Sequence, residues 1–94
     1  MLPKNRVSTH PGEILSEEFL KPLGITQSGF ADHMGVPFQR INELINGKRG
    51  ITPETAWLLS EALGTSAEFW TNLQAAHDLT KHRLRRHVKP IRAA

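Results

Sequence analysis

Five short helices packed as one small all-α domain are what this 94-residue sequence predicts. Three observations carry that prediction. Apolar residues recur at three- and four-residue steps and nowhere alternate with period two over a strand's length. Glycine and proline cut the chain into short segments with connections of only a few residues. The length suffices for a single core, because a chain of this size buries only about 60–65% of the surface it would expose unfolded.

The helices follow in order. The first starts near Pro11, which suits a first turn, turns Ile14, Leu15, Phe19 and Leu20 inward, and is expected to end at Pro22 and Gly24. His10 stands where it can assist that start. The second, in TQSGFADHMG, opens on Thr26 as N-cap and closes at Gly35, placed for the left-handed conformation of a helix end; His33 falls on its surface. The third begins at Pro37 and stops at the Asn-Gly pair 46–47. TPETAWLLSEALG gives the fourth, with Thr52 capping, Pro53 in the first turn, Leu59, Ala62 and Leu63 inward and Gly64 terminating. The fifth begins in TSAEF, where Thr65 and Glu68 have capping-box spacing. Phe69, Leu73 and Ala76 repeat along it, and it runs to about residue 80.

Charge divides the chain more sharply than its net +3 suggests. All nine acids lie between Glu13 and Asp78, so residues 1–80 carry −3, while Lys81, Arg83, Arg85, Arg86, Lys89 and Arg92 give the remainder +6. The organisation is therefore an N-terminal arm (1–9), a helical domain (10–80) and a basic tail (81–94) suited either to phosphates or an acidic partner, or to solvent as a charged end. There is no cysteine, which removes disulfides and thiolate metal sites. No apolar run approaches the roughly 20 residues of a membrane span and MLPKNRVSTHPGE lacks a secretory apolar stretch. A soluble cytoplasmic protein without membrane association is expected.

The second and third helices read as a pair. Phe30, Ala31, Met34, Gly35, Val36, Ile41 and Leu44 supply what a tight helix crossing needs: a small residue at the contact, a glycine in the turn, an apolar plug after it and two apolar residues three apart facing the core. This is the requirement set of a helix-turn-helix. With Ile41 inward at ~100° per residue, Gln39, Glu43 and Asn46 point nearly opposite, with Arg40 and Asn42 on the flanks and Phe38 projecting from the first turn. Such a face fits the major groove of double-stranded operator DNA. Gln39 suits adenine, Arg40 guanine or phosphate, Phe38 a thymine methyl and Glu43 cytosine. Lys48 and Arg49 suit backbone phosphate, and Gln27 and Ser28 can donate from the start of the second helix. One copy offers few phosphate contacts, so a homodimer on a symmetric site is expected.

HPGEILSEEFLKPLGIT and INELINGKRGITPETAWLLSEALGTSAEFWTNLQAAHDL closely resemble the HigA-type antitoxins of HigB–HigA toxin–antitoxin modules, within the phage-repressor-like (XRE) helix-turn-helix family. The match covers roughly residues 10–79, and HPGEIL, NGKRG and EFWTNLQ make it more specific than a bare helix-turn-helix. The resemblance implies a bacterial antitoxin that binds a HigB-type mRNA-cleaving toxin and represses its own operon as a homodimer. Family members often carry Ser or Thr where Pro37 stands, so a side-chain cap is lost here. An RNA-cleaving toxin is expected to be basic, which makes the acidic Glu13, Glu17 and Glu18 of the first helix a candidate toxin surface, although acids early in a helix also simply favour its dipole. Phe69, Trp70 and Leu73 read as core and dimer contacts, and Trp57 likewise.

No nucleophile with base and orienter, no HExxH and no phosphate-binding glycine loop is found, so neither an enzyme nor a cofactor is expected. His77, His82 and His87 recur every five residues and diverge on a helix, which argues against a metal. Two other readings stand beside the antitoxin repressor: an antitoxin that only masks its toxin, and a solitary phage-like repressor.

Overall fold

The computed structural model describes residues 6–92; residues 1–5 of the expected arm and 93–94 of the tail lie outside the described residues. All regular structure among the described residues is helical. Helix α1 spans an α turn (Pro11–Ile14), a wider π-helical turn (Leu15–Leu20) and a closing α turn (Lys21–Leu23). It is followed by α2 (Gln27–Met34), α3 (Phe38–Ile45), α4 (Pro53–Leu63) and α5 (Ala67–Lys81).

Local chemistry sets most boundaries. Thr26 accepts the Gly29 N–H at 3.0 Å and Thr52 the Thr55 N–H at 3.2 Å, each satisfying a donor that a helix start leaves unpaired. His10 caps α1 through Nδ1, which accepts the Gly12 N–H at 2.9 Å. The helix ends where Pro22 and Gly24 were expected to end it, but Pro22 itself is not the stop. A proline ring inside an α-helix strikes the carbonyl four residues back. Here the backbone has already widened, Lys21 N–H donating to Ser16 O five residues earlier, and the ring is accommodated in the last turn. Gly24 makes the stop instead.

The capping-box expectation at Thr65 is also corrected. Ser66 is the N-cap of α5 and accepts the Phe69 N–H at 3.1 Å. Thr65 has another duty: its Oγ1 accepts the indole N–H of Trp70 at 2.7 Å, so a buried aromatic donor is satisfied.

One core joins the five helices: Leu15 and Leu20 from α1, Phe30 and Ala31 from α2, Ile41 and Leu44 from α3, Ala56 and Leu59 from α4, and Trp70 from α5. The two tryptophans have opposite fates. Trp70 is 0% exposed, packed against Phe19 with ring centroids 5.4 Å apart, whereas Trp57 is 63% exposed and lies outside the core in which it was expected. Periodicity explains it, since Thr55, Ala56 and Leu59 define the inward face of α4 and Trp57 stands away from it. Trp70, expected both in the core and at a dimer contact, is in the core, and its complete burial leaves no surface for a partner, which corrects the dimer half of that expectation.

Candidate nucleic-acid interface

The turn between α2 and α3 is built as the sequence requires. Gly35 takes φ +71, a conformation that disfavours a side chain. Its N–H donates to Asp32 O at 3.1 Å, and Val36 N–H donates to Ala31 O at 3.0 Å. This pair of bonds is a Schellman closure, with the apolar residue just beyond it folded onto the core. Pro37 then N-caps α3 with φ −62 and ψ 144 and no side-chain bond, in accord with the missing Ser or Thr. Ile41 and Leu44 are each 1% exposed, which fixes the rotation of α3 and turns its polar side outward.

Gly12 holds α3 from the other side. A β-carbon on it would overlap the Leu44 carbonyl oxygen, so α1 can rest backbone against backbone on the C-terminal end of α3 only because this residue is glycine. Sequence reasoning passed over it. The signal was present, however, because glycine lowers helix propensity and its use so close to a helix start calls for a compensating reason.

The expected reading residues fall into four groups. Gln39 donates through Nε2 to Glu43 Oε2 at 3.1 Å, while Arg49 donates through Nε and Nη2 to Glu43 Oε1 at 3.2 and 3.0 Å. Asn46 Nδ2 donates to Asn42 Oδ1 at 3.2 Å, and Asn42 Nδ2 to Gln27 Oε1 at 3.0 Å, linking α3 to the first turn of α2. Arg40 stands apart. Its Nη2 donates to Glu54 Oε1 at 2.7 Å and to Thr55 Oγ1 at 2.9 Å, so the guanidinium ties α3 sideways to the first turn of α4. Phe38 is 50% exposed at the start of α3, and Ser28 and Lys48 are exposed beside the face. The outward set is thus Phe38, Gln39, Glu43 and Asn46, flanked by Ser28, Lys48 and Arg49.

The loop carrying Lys48 and Arg49 is pinned from behind. Gln74 Oε1 accepts the Ile51 N–H at 2.6 Å, and His10 lines the cleft beside Lys48 and Arg49. His10 and His77 meet edge to face with centroids 4.8 Å apart. Residue 8 is clasped to α5, its N–H donating to Thr80 Oγ1 at 2.8 Å and its carbonyl 2.8 Å from His77 Nδ1. Burial pushes the His10 imidazole below its ordinary range, and His77 beside it pushes the same way. A shallow cleft lined by His10, Lys48, Arg49, His77 and Lys81 marks where this loop meets the end of α5.

Glu13, Glu17 and Glu18 are exposed on α1, with Glu17 paired to Lys21. Of the expected interface residues, Phe69 is 38% exposed and Leu73 half-buried against the core. No helix among the described residues is long and apolar enough to cross a membrane.

A family profile described as helix-turn-helix (HTH_3) matches residues 17–70. The chain is 47% identical over 70 residues to Virulence-associated protein I of Dichelobacter nodosus, covering 74% of this chain and 65% of that protein. It is 42% identical over 83 residues to Antitoxin HigA-1 of Vibrio cholerae, covering 86% of this chain and 78% of that one. The solved structure of Pseudomonas aeruginosa antitoxin HigA with the higBA promoter superposes with a TM-score of 0.77 at 36% identity, over 79% of this chain and 80% of that chain. On the matched residues, the crossing of α2 with α3 and these relatives, the chain belongs to the HTH_3 helix-turn-helix family and to its HigA-type antitoxins.

Proposed function

We propose that this protein is an antitoxin that binds operator DNA with α3 in the major groove, represses its own operon as a homodimer, and neutralises a HigB-type mRNA-cleaving toxin. One observation carries the DNA reading. The burial of Ile41 and Leu44 rotates α3 so that Gln39, Glu43 and Asn46 face outward beside Lys48 and Arg49, which gives a reading face flanked by phosphate-binding cations. The relatives support the antitoxin and promoter-binding parts: one is named an antitoxin, and another antitoxin was solved with its promoter.

Gln39 is the residue proposed to read a base, because its carboxamide keeps an acceptor and a second donor beyond its bond to Glu43. Arg40, held by Glu54 and Thr55, is proposed to set the angle of α3 rather than to read. Glu13, Glu17 and Glu18 remain the proposed toxin surface, and Phe69 with Leu73 the proposed dimer contact. The test is fluorescence anisotropy on the region upstream of the gene, with and without the neighbouring toxin. Gln39→Ala is expected to weaken operator binding by roughly 1–3 kcal/mol while leaving non-operator binding unchanged. Equal operator binding by wild type and variant would remove Gln39 from the reading face.

A further inference from the structure

The basic tail is the largest feature that this function does not use. Residues 81–92 are all exposed, they include six lysines and arginines and no acid, and none of them belongs to the core. The helix that leads into them stops at His82 without a glycine, and Pro90 is the first residue after it that forbids a helix. Like charges oppose its continuation. Lys81 and Arg85, Arg85 and Lys89 would be four apart on a continued helix, and Arg83 and Arg86, Arg86 and Lys89 three apart, each pair repelling.

Where the tail is rooted decides what it can reach. Lys81 shares its cleft with Lys48 and Arg49, the cations that flank the outward face of α3. The tail therefore leaves the domain next to the loop that carries these cations, and its residues 82–92, fully extended, span on the order of 35 Å, long enough to pass that loop from behind and reach beyond it. The domain it leaves carries −3 over residues 1–80, so the tail supplies most of the attraction that a polyanion would feel.

Resting on the operator-binding reading, we infer that residues 81–92 form a second DNA-binding element, an arm that follows the phosphate backbone beyond the half-site read by α3. The arm contributes affinity and salt dependence without sequence preference, because its contacts are point charges on phosphates.

The experiment compares full-length wild type with the triple variant Arg85→Gln, Arg86→Gln, Lys89→Gln, measuring binding to the upstream duplex and to an unrelated duplex from about 50 to 200 mM salt. Loss of three phosphate contacts makes the slope of log affinity against log salt shallower by about 3 per protomer on both duplexes, with the ratio between duplexes preserved. An unchanged slope overturns the arm. So does an unchanged slope accompanied by charge-dependent sedimentation with anionic phospholipid vesicles, which would assign the tail to membranes. Failure of the underlying reading looks different: wild type then shows no preference for the upstream duplex, whatever the tail does to the slope.

Discussion

His10 occupies a position where one proton matters. Its Nδ1 must stay unprotonated to accept the Gly12 N–H, and burial together with His77 lowers its affinity for a proton; Asp78 pulls the other way and Lys81 reinforces the lowering. The folded pKa thus lies below the ordinary 6.5, and the unfolded chain binds the proton first as pH falls. The stability due to this group is complete above about pH 6.5 and declines below it. Asparagine caps a helix through its side-chain oxygen without titrating, so His10→Asn is expected to flatten the fall in urea midpoint between about pH 6.5 and 5. A fall as steep as that of wild type would place the titration elsewhere. Gly12 gives a second test at this scale. Gly12→Ala forces a methyl into the Leu44 carbonyl, and a loss of about 2–3 kcal/mol in unfolding free energy is expected despite alanine's better helix propensity. The pairings at the site were out of reach of the sequence for a related reason. Arg40 meets Glu54 fourteen residues away and Asn42 meets Gln27 fifteen away, so which rotamer each adopts depends on tertiary neighbours that periodicity does not supply.

Boundaries of α2, α3 and α4 were legible because their determinants lie within a turn of the ends they set: Thr26, Thr52, Gly35 and Gly64 act on backbone groups next to them. The π-helical turn of α1 was not, since Pro22 forbids only one geometry and the chain had a wider one available. At the start of α5 the capping-box spacing points to Thr65, but the cap is Ser66 one residue on, and the energies of the two hydroxyls separate their roles. Ser66→Ala removes a cap and is expected to cost about 1 kcal/mol with the Trp70 fluorescence spectrum unchanged. Thr65→Val strands a buried indole N–H, and a cost of about 1–3 kcal/mol with an altered Trp70 emission is expected. The comparison should be made in a Trp57→Phe background, because that exposed ring would otherwise dominate the signal. Bulk points to a core or contact role for both rings, which holds for Trp70, whereas the spacing of Ala56 and Leu59 already turns Trp57 away from the core.

Across the whole molecule, the fold class and the presence of a helix-turn-helix were legible because a chain this short admits one core and few ways to cross two helices around Ala31 and Gly35. Charge distribution was legible too, but the adjacency of Lys81 to Lys48 and Arg49 required the path of α5 across the back of the site. Glu43 places a carboxylate among those cations, and it neutralises Arg49 in the free protein. Glu43→Gln is expected to raise affinity for unrelated duplex several-fold and to shrink the ratio of operator to non-operator binding, read by competition at fixed salt. The bonds among Gln39, Glu43 and Arg49 also bear on how a target is found. Away from its target each of these groups already has a companion, so a mismatched base pair must compete with those bonds before it can hold the protein. Only a sequence that replaces those companions bond for bond brings the scan to rest.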